Sequence, residues 1–140
     1  MQENLITFET AKLAKEKGFN IPTLQYYTPK GYCTESADYM TERYVKSNWN
    51  NGQGSYPTLS KDVSSSAPTQ SLLQKWLREV HNTHLMVEPY YNGEKLLVYG
   101  FDLITERAEE ETIIEKGFKT YEEALEIGLQ EALKLIPNKK

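Results

Sequence analysis

The sequence predicts an α+β fold in which two helices pack on one face of a three-stranded antiparallel meander. Three observations in the C-terminal half support this class. An apolar stripe at helical spacing runs through residues 72–80, and Asn92-Gly93 separates two strand-like runs. Residues 120–123, Thr-Tyr-Glu-Glu, form a capping box before a second apolar stripe. The expected order over residues 68–140 is therefore helix, strand, strand, strand, helix, or α-β-β-β-α.

The length and composition predict one soluble domain. The 140 residues fit a single domain, which we divide into residues 1–67 and residues 68–140. The single cysteine, Cys33, excludes an internal disulfide, and no segment reaches the roughly 20 apolar residues that span a bilayer. The N-terminal residues lack the basic start and apolar core of a signal peptide. The sequence therefore predicts a cytoplasmic protein without membrane contacts or a cofactor.

A short helix is predicted near the N-terminus. Thr7 is the candidate N-cap, and Gly18 suits the left-handed position that follows a helix. Phe8, Ala11 and Ala14 share one face of this helix, which we expect to be buried.

The following segment, residues 20–67, is rich in tyrosine and is expected to be irregular or β. Residues 21–27 suit a strand, which Pro22 and Pro29 confine to a sheet edge or to the strand ends. Residues 38–45 suit either a helix or a strand. Residues 48–55 have the composition of a loop, and residues 61–66 that of a linker.

The hairpin around Asn92-Gly93 sets the predicted sheet register. A two-residue turn there pairs Tyr91 with Glu94 and places Val87 opposite Val98. Pro89 has no N–H, so its strand is expected at an edge of the sheet. One face then carries Leu85, Val87 and Val98 toward the helices, and the other carries Met86, Leu97, Tyr99 and Phe101. That second face is too apolar to be exposed to solvent, so we expect the tyrosine-rich segment or a second copy of the chain to cover it.

The last strand and helix are predicted over residues 112–118 and 121–136. The helix carries a buried stripe that includes Tyr121 and Leu125 and ends before Pro137. Ala124, Gly128 and Ala132 recur every four residues, and such small side chains permit a close approach to a sheet.

The candidate binding residues are aromatic side chains with basic side chains between them. Tyrosine and tryptophan offer large amphipathic contact areas that suit protein interfaces, and they also stack on single-stranded bases. Alternatively, these aromatic side chains simply cover the outer face of the sheet. The set comprises Tyr26, Tyr27, Tyr32, Tyr39, Tyr44, Trp49, Lys30, Arg43 and Lys46.

The charge distribution favours a protein partner. The net charge is −4, with seven basic and seven acidic residues in 1–67 but nine basic and thirteen acidic residues in 68–140. An acidic surface repels phosphate backbones. We therefore expect a protein partner, including a second copy in a homodimer, rather than nucleic acid.

No catalytic or metal site is predicted, so the chain is not expected to be an enzyme. His81 and His84 could supply metal ligands together with Glu79 and Glu88, but no third histidine or cysteine lies nearby. His81 is expected instead to cap the carboxyl end of its helix. Cys33 could form a thiolate pair with either histidine, but the sequence supplies no orienting third residue and no oxyanion hole.

Two resemblances add expectations. The α-β-β-β-α order over residues 68–136 resembles the double-stranded-RNA-binding domain, which implies a nucleic-acid-binding module. That family binds phosphates through lysines at the start of its last helix, but here Lys119 is followed by Glu122 and Glu123, which would repel RNA. The contacts would therefore come from residues 26–49. Residues 67–79, APTQSLLQKWLRE, and residues 117–133 resemble stretches of small uncharacterised proteins of phages, prophages and mobile elements of gut bacteria. That resemblance implies an accessory protein that acts through protein–protein interaction.

Overall fold

The computed structural model describes residues 3–35, 47–51, 64–105 and 113–138 of the chain. Within these residues it contains three α-helices and two antiparallel three-stranded sheets, which confirms the predicted α+β class. The chain forms two compact units. The C-terminal unit comprises Gln70–Ile136 with Met1–Asn4, and the N-terminal unit comprises Leu5–Thr69 with Pro137–Lys140.

The N-terminal unit begins with the predicted helix, α1 (Phe8–Glu16). The Thr7 side chain accepts a hydrogen bond from the Thr10 amide at 3.4 Å, as an N-cap does. Gly18 follows the helix with a φ of +91°, and the Phe19 amide donates to the Ala14 carbonyl at 3.0 Å. Both predicted ends of the helix are therefore confirmed.

Three short strands complete this unit: β1 (Gln25–Tyr27), β2 (Cys33–Glu35) and β3 (Ser65–Ser66), in the order β2-β1-β3. The strand predicted at residues 21–27 is thus confirmed only at its carboxyl end. Residues 65–66, which we expected to belong to a linker, pair instead with Tyr26 and Tyr27. The predicted loop contains one turn of 3₁₀ helix, Trp49–Asn51. The predicted element at residues 38–45 lies outside the described residues.

Asn50 ties the 3₁₀ turn to two other parts of the N-terminal unit. Its buried side-chain amide donates to the Phe19 carbonyl at 2.9 Å and accepts from the Ser66 amide at 2.9 Å. These bonds satisfy backbone groups that regular pairing leaves free inside the core. The polar composition of this segment therefore reflects buried hydrogen bonding as well as exposure.

The C-terminal unit has the elements α2 (Gln70–His81), β4 (His84–Tyr91), β5 (Leu97–Ile104), β6 (Ile113–Phe118) and α3 (Tyr121–Lys134). The strands form an antiparallel sheet in the order β4-β5-β6. β4 therefore lies at an edge of the described sheet, as Pro89 requires, and the Gln74 side chain donates to the Leu85 carbonyl at 2.8 Å. Val80 and Tyr121, which we expected in buried stripes, are exposed.

Local signals fix the ends of α3 and α2. The Thr120 side chain accepts from the Glu123 amide at 3.1 Å, while the Glu123 carboxylate accepts from the Lys119 amide at 3.3 Å. The predicted capping box is therefore present, with its return bond one residue earlier than expected. At the end of α2, Asn82 adopts a left-handed φ of +47°, and the Thr83 amide donates to the Leu77 carbonyl at 3.0 Å.

The predicted register of the β4–β5 hairpin is wrong. Tyr91 pairs with Leu97 rather than Glu94, because the connection is a three-residue loop closed by Asn92 and Leu96. The loop turns at Lys95, which adopts a left-handed φ of +62°, whereas Gly93 has no positive φ. This is the type I turn with a following left-handed residue, not the two-residue turn that Asn-Gly favours.

The longer loop reverses the faces of β5. Val87 lies opposite Phe101 and Leu85 opposite Leu103, so Tyr99, Phe101 and Leu103 share the inner face. Among the described residues, the outer face mixes apolar and charged side chains: it carries Met86, Tyr90, Val98 and Ile104 together with Glu88, Asp102 and Lys116. Of the four apolar residues that we expected on this face, only Met86 lies there, whereas Leu97, Tyr99 and Phe101 lie on the inner face.

Close packing of α3 on the sheet follows the predicted spacing of small residues. Ala124, Gly128 and Ala132 are all buried. A Cβ atom built on Gly128 would lie 2.6 Å from Leu85 Cδ1 and 3.1 Å from Phe101 Cγ. Because both neighbours are themselves buried, the glycine sets how closely this helix approaches β4 and β5.

Candidate interaction surface

Two of the predicted binding residues belong to the core of the N-terminal unit. Trp49 is 0% exposed, and its indole N–H donates to the Thr23 carbonyl at 2.9 Å. Tyr26 is buried as well, with its ring centre 4.2 Å from that of Trp49. These side chains stabilise the fold and do not present a contact surface, so their assignment to a binding surface is corrected.

Three further predicted residues lie on or beside the β1–β2 turn. Tyr27 is half-buried and donates its hydroxyl to the Ile6 carbonyl at 2.5 Å, so it too is partly structural. Lys30 is exposed in the turn, and Tyr32 is 69% exposed. Tyr39, Arg43, Tyr44 and Lys46 lie outside the described residues. Of the predicted set, the structure therefore shows one strongly exposed aromatic side chain and one exposed cation.

The described residues expose a larger apolar surface at the tip of the β4–β5 hairpin. Tyr91 is 74% exposed, Leu96 58% and Leu97 49%. Tyr91 and Leu97 lie directly opposite each other in the ladder, and their side chains share the inner face. We call these three residues, with Tyr99 and Tyr121, the hairpin end.

The hairpin end is exposed because the helical cover begins further along the sheet. Tyr121, the first residue of α3, packs edge-on against Tyr99 with ring centres 6.2 Å apart. From there the helix runs toward Gly128, which lies over Leu85 and Phe101. The Tyr91–Leu97 pair lies two residues closer to the loop than Tyr99, on the same face of the sheet. The apolar inner face therefore continues toward the loop beyond the start of α3.

The loop that carries this surface is held by one side chain. Asn92 Oδ1 accepts from the amides of Glu94 at 2.9 Å and Leu96 at 3.0 Å, while the Asn92 carbonyl accepts from the Lys95 amide at 2.9 Å. These hydrogen bonds restrict the backbone of the loop, so Leu96 and Tyr91 would lose less conformational entropy in any contact that they make. Glu94 and Lys95 are exposed beside the apolar residues, which is the arrangement of an apolar centre with a polar rim.

Sequence reasoning missed this surface because it depends on the loop length. Tyr90-Tyr91 and Leu96-Leu97 flank the turn, and this doubling of apolar residues is the only available signal. In the predicted register Tyr91 paired with Glu94, a charged neighbour, and the apolar character of the tip was hidden.

The two histidines lie at the corner between α2 and β4. His84 exchanges a hydrogen bond with the Asn82 side chain at 2.9 Å. The His81 ring packs edge-on against Trp76 at 4.6 Å, with its Nε2 atom buried without a hydrogen-bond partner among the described residues. In the described ranges no three His, Cys, Asp or Glu side chains gather closely enough to hold a metal ion.

The environment of His81 predicts an acid-sensitive stability. Burial lowers the pKa of His81 below its ordinary value of 6.5, so the unfolded chain binds the proton more readily than the folded one. The contribution is fully present above pH 6.5 and is lost as the pH falls below it. We expect His81→Gln to flatten the fall in denaturation midpoint between pH 7 and pH 5, with His84→Gln as the control. An unchanged slope in His81→Gln would contradict this.

Comparisons with protein-family models, curated proteins and solved structures find no significant match to the chain. None of the helices in the described ranges combines the length and hydrophobicity needed to cross a bilayer.

Proposed function

We propose that this chain is an accessory protein of a phage or mobile element that acts by binding another protein through the hairpin end, rather than by catalysing a reaction. The observation that carries this proposal is the joint exposure of Tyr91, Leu96 and Leu97 on a loop organised by Asn92. Contiguous exposed apolar surface on a small protein commonly marks an interaction site, and tyrosine is enriched at protein interfaces.

The structure of the tip supports a protein ligand in preference to a small molecule. Tyr91, Leu96 and Leu97 are about half or more exposed at the tip of a hairpin, whereas the apolar residues of a small-molecule site line an enclosed cleft. Tyr91 can bury a large ring area at the cost of only two rotatable bonds. The partner is therefore expected to present an apolar groove or pocket, and a second copy of the chain is one candidate.

The resemblance of residues 67–79 and 117–133 to small proteins of phages and prophages supports the accessory role. Such a role needs a recognition surface but no active site. The hairpin end meets that need within the C-terminal unit alone.

Site-specific photo-crosslinking tests the surface directly. With p-benzoylphenylalanine at position 91, in cells that carry the gene, we expect one discrete crosslinked species. The same group at position 104 is the matched control, because Ile104 is also an exposed apolar residue of the same hairpin but lies at its opposite end. An adduct of twice the chain mass identifies self-association, and any other single mass identifies a different protein.

Substitution of the same residues supplies the energetic test. We expect Tyr91→Ala to weaken the recovered complex by about 2 kcal/mol, the usual size of a central aromatic contact. Because Tyr91 is largely exposed, its loss leaves the folding stability within about 0.5 kcal/mol of the parent. Equal crosslinking at positions 91 and 104, or no discrete adduct at position 91, would overturn the proposal.

A further inference from the structure

The loop of the β4–β5 hairpin contains two neighbouring residues that can react with each other. In an asparagine–glycine pair the backbone nitrogen of the glycine can attack the side-chain amide of the asparagine, because glycine has no Cβ atom to hinder the approach. Asn92 and Gly93 form such a pair. Asn92 is half-buried and Gly93 is exposed, so solvent reaches the peptide bond between them.

The attacking nitrogen is available for this reaction. Within the described ranges the Gly93 N–H donates no hydrogen bond, so solvent can remove its proton. A Cβ atom built on Gly93 would meet no other heavy atom within 4 Å, so the space around the residue is open as well. The leaving group, Asn92 Nδ2, likewise makes no hydrogen bond to a described residue.

The carbonyl group under attack is polarised by the loop. Asn92 Oδ1 accepts from the amides of Glu94 at 2.9 Å and Leu96 at 3.0 Å, and both partners are donors, which assigns this atom as the oxygen. The ring of atoms that the Glu94 hydrogen bond closes contains the Gly93 nitrogen, so the side chain is turned toward the residue that attacks it. Two donors on the carbonyl oxygen stabilise the negative charge that develops there during the attack.

We propose that Asn92 is a site of spontaneous deamidation, with Gly93 as the nucleophile and water as the co-reactant. The Gly93 nitrogen forms a bond to Asn92 Cγ, the Cγ–Nδ2 bond breaks, and Nδ2 leaves as ammonia with the proton that Gly93 loses. Water then opens the cyclic imide at one of its two carbonyl groups. Opening at Cγ yields aspartate, and opening at the main-chain carbonyl yields isoaspartate.

The two products have different effects on the loop. Aspartate keeps a side-chain oxygen in the place of Oδ1, so the amides of Glu94 and Leu96 retain an acceptor, which is now charged. Isoaspartate routes the main chain through Cγ and lengthens it by one carbon atom. The carbonyl that accepts from the Lys95 amide then becomes a side-chain carboxylate. Formation of isoaspartate therefore disrupts the loop that holds the hairpin end, whatever that surface binds.

Peptide mapping by mass spectrometry tests this inference on the full chain, incubated at physiological temperature and sampled over weeks. We expect position 92 to gain the mass of an exchange of NH₂ for OH, and enzymatic methylation to detect isoaspartate there. The rate is expected to rise with pH, because a base removes the Gly93 proton. Asn51-Gly52 is a second pair of this kind, which the mapping separates. A synthetic peptide of residues 88–97 gives the rate of the same sequence outside the fold.

Gly93→Ala is the matched variant. Gly93 has no positive φ and has room for a Cβ atom, so we expect the variant to retain the far-ultraviolet circular dichroism of the parent. The added methyl group hinders the attack and is expected to slow deamidation at position 92 at least about tenfold, while the rate at Asn51 stays unchanged. Asn92→Asp supplies the reference spectrum of the aspartate product.

Two results would overturn the proposal. The first is an intact Asn92 in the folded chain at the time when the synthetic peptide has reacted completely. The second is an equal rate at position 92 in the parent and in a folded Gly93→Ala variant. Each readout reports the covalent structure of the chain and requires no partner, so this inference and the proposed function fail separately.

Discussion

Replacing Trp49 with alanine is expected to destabilise the N-terminal unit by about 3–5 kcal/mol, the usual cost of removing a buried tryptophan. The ring is fully buried, packs 4.2 Å from Tyr26 and donates its N–H to the Thr23 carbonyl. The substitution removes both the packing and the hydrogen bond. Amide hydrogen exchange at Thr23 and Ala67, whose N–H groups are bonded within this unit, measures the loss locally.

Two matched variants separate the contributions. Trp49→Phe keeps most of the ring volume but removes the N–H donor, so its cost is expected to be smaller than that of alanine. Tyr32→Ala removes an exposed aromatic side chain of the same unit and should change the stability by no more than about 0.5 kcal/mol. If Trp49→Ala were as mild as Tyr32→Ala, Trp49 would be a surface contact residue after all.

Gly128→Val is expected to destabilise the C-terminal unit by about 3 kcal/mol, at the upper end of the cost of overpacking a core. The first added carbon alone would lie 2.6 Å from Leu85 Cδ1 and 3.1 Å from Phe101 Cγ. Valine adds two more methyl groups that α3 and the sheet can accommodate only by moving apart. Chemical denaturation followed by far-ultraviolet circular dichroism measures the change.

A double-mutant cycle identifies the cause of that loss. Leu85→Ala opens the space that the new side chain needs, so we expect Gly128→Val to cost less in that background, with a coupling of about 1 kcal/mol or more. Glu122→Val, at an exposed position of the same helix, controls for the helix propensity of valine and should cost no more than about 1 kcal/mol. Strict additivity of Gly128→Val and Leu85→Ala would show that the clash is not with Leu85.

Elements with local signals could be predicted from the sequence. The two ends of α1 depend on Thr7 and Gly18, and the start of α3 depends on Thr120 and Glu123, all within four residues of the groups that they satisfy. The close approach at Gly128 was predictable as well, because helical spacing places small residues on one face.

The hairpin register could not be predicted because it depends on one backbone conformation. Asn92-Gly93 favours a two-residue turn, but the left-handed residue is Lys95, a residue type that rarely adopts this conformation. The side chain of Asn92 stabilises this longer loop, because it accepts hydrogen bonds from the backbone amides of Glu94 and Leu96. An odd shift in register then exchanges the two faces of β5, and the hairpin end becomes apolar only in the observed pairing.

The burial of Trp49 was hidden by its polar neighbours. Asn48 and Asn50 suggested an exposed loop, yet both are buried, and Asn50 uses its amide to bond Phe19 and Ser66. A prediction from composition places such residues in an exposed loop, whereas the two hydrogen bonds of Asn50 span 16 and 31 positions of the chain. Long-range polar contacts of this kind leave no periodic pattern in the sequence.

The free edge of β4 is poorly suited to pairing with a strand of another chain. Alternation along the strand turns the backbone groups of Leu85, Val87, Pro89 and Tyr91 away from β5, where another strand would add. Gln74 occupies the Leu85 carbonyl, and Pro89 has no N–H to offer. A cross-β stack growing on this edge would lose bonds at both positions. The association that we propose through the hairpin end would instead use side chains, Tyr91, Leu96 and Leu97, and would leave the backbone edge of β4 unpaired.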